Sequence, residues 1–156
     1  LLKEGGDAVV PCGLAARDTL RLEAGMPLYG HELDLEHNPY EAGLGKAVKL
    51  DRESDFVGRR ALEIIASEPV TRRLIGLRGE GKRAARGGYT VHFPGAAEGI
   101  GEVTSGALSP TLQYPIAMAY VTSNQPLESG TILEVDVRGN RQEFTVVDLP
   151  FYKRQK

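Results

Sequence analysis

The chain has 156 residues, of which 41% are hydrophobic and 26% are charged, and its formal net charge at pH 7 is -2. This composition is typical of a globular protein, and the nearly balanced charge gives no electrostatic reason to expect nucleic acid or an anionic membrane as a partner. Cys12 is the only cysteine, which excludes an internal disulfide and favours a reducing compartment.

The first residues predict little regular structure. The opening Leu1–Gly6 has no initiator methionine, helix cap or signal-peptide pattern, which indicates a cut through a longer chain. Ala8–Val10 predicts the end of a strand, which Pro11 and Gly13 terminate.

A helix is predicted from Leu14 to Ala24, with Gly25 in the left-handed position that ends it. At about 100° per residue, Asp18 and Arg21 share one side and can form an i, i+3 ion pair. The opposite side carries a mostly apolar stripe made of Ala15, Thr19, Leu22 and Met26.

Glu23 is the one acidic side chain that falls inside this apolar arc. A carboxylate in an apolar environment is costly unless it receives hydrogen bonds or a counter-charge. Two interpretations follow: a structural acceptor in the core, or an acceptor of two hydrogen bonds from a flat nitrogen-rich ligand, because a carboxylate offers two parallel acceptors.

The next stretch reads as turns with two short elements. His31 and His37 lie among acidic residues, for which a hydrated acidic loop is favoured over a metal site, since ligand sets need convergent spacing. Ala47–Leu50 predicts a short strand, and Asp55 is predicted to cap a helix from Phe56 to Ala66.

After Glu68 the apolar residues recur at the two-residue spacing of β-strands instead of the spacing of a helix. Thr131–Arg138 and Gln142–Val147 flank the two-residue loop Gly139-Asn140, which is a hairpin signal. Ile116–Val121 is apolar on both faces, which indicates a central strand. The other predicted strands are Leu74–Leu77, Tyr89–Phe93 and Ile100–Ser105.

These elements predict an α+β segment followed by an all-β antiparallel barrel of about six strands. We place the boundary near Glu68, which gives one region over residues 1–68 and a second over residues 69–156. The first region is short for an independent core.

Several motifs in order resemble the aminomethyltransferase family, the T-protein of the glycine cleavage system. The first is RDTLRLEAGMPLYGHEL at Arg17–Leu33, and the similarity extends over nearly the whole chain. The others are Pro39–Leu44, Lys49–Asp51, Asp55–Leu62, Leu74–Leu77, Gly101–Gly106, Ser109-Pro110, Ile116–Val121 and Leu149–Tyr152.

The resemblance implies a three-domain enzyme of which this chain is the C-terminal half. That family takes the aminomethyl group from the lipoyl arm of the H-protein, releases ammonia and passes the one-carbon unit to tetrahydrofolate. It therefore implies tetrahydrofolate as co-substrate, the lipoylated H-protein as partner, no metal, no nucleic acid and no membrane, and a cytoplasmic location (the mitochondrial matrix in a eukaryote).

The resemblance also suggests folate-binding residues. The pterin-binding glutamate of the family falls on Glu23, and a family arginine near the folate matches Arg52, with Lys49 as a neighbour that could substitute for it. Since the family's C-terminal tail approaches the folate, Tyr152 and Arg154 are further candidates, although a frayed tail is the structural alternative for Arg154.

No residue here matches the family's catalytic aspartate, which lies upstream, so we expect no catalytic residue in this chain and no activity from it alone. Two alternatives are another folate-dependent one-carbon enzyme of the same superfamily and a non-catalytic folate-binding relative. The apolar surface that upstream strands would cover predicts self-association of the chain.

Overall fold

The computed structural model describes residues 2–154, which form a segment of short helices followed by a closed β-barrel. The segment contains α1 (Leu2–Gly5), α2 (Leu14–Glu23) and α3 (Arg59–Ser67), with 3-10 turns at Gly6–Ala8 and Gly45–Ala47. Leu1, the first residue of the predicted opening segment, lies outside the described residues.

Six antiparallel strands close the barrel in the order β1-β4-β3-β2-β5-β6. This confirms the predicted α+β segment followed by an antiparallel barrel. The strands are β1 (Arg72–Gly79), β2 (Thr90–His92), β3 (Gly99–Leu108), β4 (Pro115–Thr122), β5 (Ile132–Val137) and β6 (Asn140–Val147).

The barrel has an apolar interior to which every strand contributes. Alternation along β5 places Leu133, Val135 and Val137 inside, and Phe144 and Val146 of β6 face them. At about 25 cal/mol per Å² of buried apolar area, such an interior is the main stabilising contribution to a small domain.

β4 is buried on both faces, as its continuous apolar sequence predicts. Ala117 and Ala119 face the interior, whereas Ile116 and Met118 face outward and pack against Leu22 of α2. The outer cluster that they form therefore attaches the helical segment to the barrel wall.

The end of α2 agrees with its sequence pattern. The helix ends at Glu23, Ala24 is its C-cap, and Gly25 has a φ of +63°. A side chain at Gly25 would also lie 3.1 Å from Leu149 and Pro150, so the C-terminal tail crosses close to this turn.

Three predicted details of the segment are wrong. Residues 8–10 form no strand, because they have no partner strand within the described residues, and Ala47 belongs to a 3-10 turn. α3 begins at Arg59 with Gly58 as its N-cap, at a φ of +90°. Asp55 accepts a hydrogen bond from the Phe56 N–H instead of capping the helix.

The β5–β6 turn is displaced by one residue from its predicted position. Val137 pairs with Asn140, so the two loop residues are Arg138 and Gly139, with φ of 58° and 81°. Two positive φ angles are those of a type I′ turn, which matches the right-handed twist of the strands.

Candidate functional site

A β-bulge in β3 directs two polar side chains toward the helical segment. The register with β4 shifts between Val103, which faces Ala119, and Ser105, which faces Met118. Thr104 is the additional residue, and because of it Thr104 and Ser105 both contact the segment on the outside of the barrel.

The hydroxyls of these two residues bind a buried ion pair between Arg21 and Glu32. The Arg21 Nη1 lies 2.7 Å from the Glu32 Oε2, and Glu32 is 0% exposed. Ser105 Oγ accepts from Arg21 Nη2 at 2.7 Å, and Thr104 Oγ1 donates to Glu32 Oε1 at 2.6 Å. Helix, loop and barrel therefore meet at one charged contact.

The rest of the Glu32 environment is also hydrogen-bonded. The Leu28 N–H donates to Glu32 Oε2 at 2.9 Å, and the Tyr120 hydroxyl donates to the Glu32 carbonyl at 2.8 Å. Arg21 also binds Asp18 at 2.7 Å, which confirms the predicted i, i+3 pair. Glu32 has no exposed surface and both of its carboxylate oxygens are bound within the chain, so its role is structural.

The prediction of a hydrated acidic loop is wrong for Glu32, whereas Asp34 and Glu36 are exposed as it implies. Glu32 is fully buried, and His37 stacks on the ring of Tyr120 with ring centroids 3.9 Å apart. Among residues 2–154, no group of three or more His, Cys, Asp or Glu side chains is arranged to hold a metal ion.

Tyr120 belongs to this structural contact. Burial, followed by the charges of Glu41 and Asp34, raises the pKa of the Tyr120 hydroxyl to about 12. The hydroxyl therefore stays protonated near neutral pH and remains a donor to the Glu32 carbonyl.

Glu23 has a different set of partners, all on the loop between β3 and β4. Its Oε1 accepts from the Ser109 hydroxyl at 2.5 Å and from the Thr111 N–H at 3.0 Å. Its Oε2 accepts from the Thr111 hydroxyl at 2.8 Å. Glu23 is 5% exposed, so the structural interpretation, a buried hydrogen-bond acceptor, describes its contacts within this chain.

These contacts keep Glu23 charged. Burial by itself raises the pKa of Glu23, but the hydrogen bonds from Ser109 and Thr111 outweigh burial and hold the pKa below 4.5. A carboxylate has about four acceptor positions, and the described contacts use two on Oε1 and one on Oε2. One position on Oε2 thus remains for a further donor.

Tyr152 lies next to Glu23 through the main chain. The Tyr152 N–H donates to the Glu23 carbonyl at 2.9 Å, and the side chain of Tyr152 is 43% exposed. Leu149 and Phe151 pack on the outer cluster around Leu22, which fixes the tail beside α2. Arg154 is exposed two residues further along.

Arg52 lies in a separate part of the segment. Together with Lys49 it lines an apolar hollow of about 500 Å³ that also contains Leu44, Phe56 and Leu62. The Arg52 carbonyl accepts from Arg59 at 2.7 Å, and within the described residues no contact joins Arg52 to Glu23. The structure therefore brings Glu23 and Tyr152 together but not Arg52.

The chain carries further apolar surface on the helical segment. Val10, Leu14 and Leu20 are exposed, and Leu14 is 85% exposed. Within the described residues, no helix has the length and apolar character needed to cross a membrane.

Two family models match the chain in order. The GCVT N-terminal domain matches residues 1–52, and the glycine cleavage T-protein C-terminal barrel domain matches residues 72–153.

Curated relatives similar to this chain are aminomethyltransferases. Those of Cutibacterium acnes and Saccharopolyspora erythraea are 55% and 57% identical to it, over 99% and 92% of this chain. The matched regions are 40% and 39% of those proteins, so the chain spans about two fifths of their length.

A solved structure shows the same fold. The crystal structure of glycine cleavage system aminomethyltransferase T from Bartonella henselae superposes with a TM-score of 0.84 at 35% sequence identity. The match covers 96% of this chain and 42% of that chain.

Proposed function

The chain belongs to the aminomethyltransferase family of glycine cleavage T-proteins. We propose that the natural protein containing it takes the aminomethyl group from the lipoyl arm of the H-protein. It releases ammonia and transfers the one-carbon unit to tetrahydrofolate, giving 5,10-methylenetetrahydrofolate.

The observation that carries this proposal is the pair of family matches, over residues 1–52 and 72–153, on a chain whose fold agrees. They confirm the resemblance found in the sequence motifs. We propose residues 1–68 and 69–156 as the two regions, and α3 ending at Ser67 before β1 begins at Arg72 supports that boundary.

For the folate, we propose Glu23 as the acceptor for the nitrogen-rich edge of the pterin. Its carboxylate is charged and has a fixed orientation, and charged acceptors form strong hydrogen bonds with N–H donors. Tyr152, beside Glu23, and the exposed Arg154 are proposed to contact the folate from the tail. Arg52, with Lys49 as its neighbour, is proposed to contact it from the hollow.

No residue of this chain is assigned a catalytic role, because none matches the catalytic aspartate of the family. Transfer passes through a cationic iminium-like species, which a fixed anion beside it would stabilise. Glu23 binds and orients in this proposal and does not supply that anion. The chain by itself is therefore proposed to be inactive.

The proposed setting is the cytoplasm, with tetrahydrofolate and the lipoylated H-protein as partners and no metal. The bacterial sources of the matched aminomethyltransferases support this setting. We also propose that the isolated chain self-associates through the exposed apolar residues of α2, which sedimentation at increasing concentration would detect; a strictly monomeric chain would contradict it.

The test is reconstitution of the natural protein with aminomethylated H-protein and tetrahydrofolate. We expect ammonia and 5,10-methylenetetrahydrofolate in equal amounts, with Glu23→Gln weakening folate binding. Failure to form the methylene product would contradict the proposed reaction. Unchanged folate affinity in Glu23→Gln would contradict the proposed role of Glu23 alone.

A further inference from the structure

The loop between β3 and β4 is internally fixed before it reaches Glu23. The Ser109 N–H donates to the Tyr114 carbonyl at 3.0 Å, and the Gln113 N–H donates to the Ser109 carbonyl at 2.9 Å. Ser109 is 1% exposed. The loop therefore presents its polar groups in one arrangement, set by the barrel.

The direction of the Ser109 hydroxyl proton follows from its partners. Its oxygen accepts from the Leu112 N–H at 2.9 Å, so its single proton is available for Glu23 Oε1 at 2.5 Å. A hydroxyl that accepts one hydrogen bond becomes a stronger donor in the next, which strengthens the contact to the carboxylate.

These donors fix a rotation that the glutamate side chain does not fix by itself. The terminal torsion of a glutamate is broad, so the plane of a free carboxylate is poorly defined. Here Thr111 donates to both oxygens of Glu23, through its N–H to Oε1 and its hydroxyl to Oε2. Two donors from one residue hold both ends of the carboxylate plane.

The two ends of that plane differ in access. The Oε1 end is closed by buried Ser109, whereas the Oε2 end lies beside Thr111, an exposed residue. The remaining acceptor position is on Oε2, so a ligand donor that used it would lie next to the Thr111 hydroxyl.

We infer that Ser109 and Thr111 are positioning residues, by which the barrel orients the Glu23 carboxylate so that Oε2 meets the pterin edge. This inference rests on the proposed binding of folate by Glu23. It gives the C-terminal barrel a direct part in folate affinity, through a loop that contributes no reacting atom.

The experiment measures tetrahydrofolate affinity and steady-state kinetics in the natural protein carrying Thr111→Val. The substitution keeps the side-chain shape and the N–H but removes the hydroxyl that binds Oε2. We expect the dissociation constant and the KM for folate to rise about tenfold, consistent with losing a hydrogen bond to a charged group. The kcat at saturating folate should change little.

Thr111→Ser retains a hydroxyl and should restore folate affinity to within about twofold, since only a methyl group is lost. Thr122→Val, at the exposed end of β4, is the matched control and should leave affinity unchanged. Ser109→Ala should weaken folate binding in the same direction as Thr111→Val, and thermal unfolding of each variant separates this effect from a loss of fold.

Three results would overturn the inference. Tighter folate binding in Thr111→Val would mean that the hydroxyl competes for an acceptor position. Unchanged binding in Thr111→Val, with Glu23→Gln weakened, would overturn the positioning role and leave the proposed role of Glu23 intact. Unchanged binding in Glu23→Gln would overturn both.

Discussion

The barrel and the segment before it are stabilised by different means. The barrel interior is an apolar cluster drawn from all six strands. The segment buries Leu22 and Ala42 but leaves Leu14, Leu20 and Val57 exposed. Besides the apolar cluster around Leu22, its attachments to the barrel are polar: Arg21 and Glu32 at the bulge, Glu23 at the β3–β4 loop, and Glu41 with Arg72.

This difference shows that a small region without its own core can be held by one apolar contact together with charged groups that are each hydrogen-bonded. The buried Glu32 and Glu23 carboxylates receive donors from the barrel wall, and no buried side-chain nitrogen or oxygen within the described residues lacks a hydrogen bond. The segment therefore depends on the barrel, whereas the barrel interior does not depend on the segment.

Replacing Glu32 should weaken the attachment of the segment to the barrel more than the other changes predicted below. Glu32→Ala leaves the Arg21 guanidinium buried without its main partner, and breaking a buried pair costs about 3–5 kcal/mol. Because Asp18 still binds Arg21, we expect the lower end of that range. Hydrogen exchange should show lost protection around Ala24–Met26 while the β1–β4 amides keep theirs.

Glu36→Ala is the matched control for that substitution. Glu36 lies on the same loop and is exposed, and within the described residues its side chain forms no hydrogen bond or ion pair. It should leave both regions unchanged. If Glu32→Ala unfolded segment and barrel in a single step, the two regions would not be distinct.

Acidification should weaken the polar attachments of the segment less than Glu32→Ala does, because a protonated carboxyl can still form hydrogen bonds. The pKa of Glu23 and that of Glu41 both lie below 4.5, since the hydrogen bonds that each receives outweigh burial. The stability that they contribute is present above pH 4.5 and is lost as the pH falls through their lowered values.

We therefore expect hydrogen-exchange protection of the segment to fall below pH 4.5 while that of the barrel persists, because the core cluster of the barrel is built from apolar side chains of all six strands. The Glu23→Gln variant should show a smaller change with pH. Equal acid loss in both regions would contradict the expected order.

The smallest expected effect concerns the barrel alone. Arg138 has a φ of 58°, which costs an ordinary side chain roughly 1 kcal/mol, whereas asparagine adopts it readily. Arg138→Asn should stabilise the barrel by about 1 kcal/mol or less, measured by thermal unfolding, and leave segment protection unchanged. Arg83→Asn, in the β1–β2 loop, is the control, and equal gains in both variants would count against the turn as the cause.

The sequence predicted the barrel because its strands repeat a simple rule. Alternation in β5, the two-sided apolar β4 and the hairpin signal each depend on neighbours in sequence. The predicted turn was one residue late because Gly139-Asn140 is the more usual pair for a two-residue loop. The loop instead uses Arg138 and Gly139, and arginine is uncommon at positive φ.

The partners of the buried charges could not be predicted in this way. Helical periodicity identified Glu23 as misplaced, but Ser109 and Thr111 lie more than 80 residues away and reach it only through the closed barrel. Glu32 gave no periodic signal at all, since it follows a turn. Its burial depends on Thr104 and Ser105 pointing outward together, which an alternating strand would forbid.

The bulge at Thr104 is an insertion into an otherwise regular ladder between β3 and β4. Before it, Gly101 and Val103 pair with the inward residues Val121 and Ala119; after it, Gly106 pairs with inward Ala117. Because of the single extra residue, the inward-facing residues of β3 have odd numbers before Thr104 and even numbers after it. Deleting Thr104 would therefore restore a regular ladder, with Ser105 still opposite Met118 and every later residue on its present face. The Thr104 hydroxyl, and with it the hydrogen bond to Glu32, would be lost from the contact with the segment.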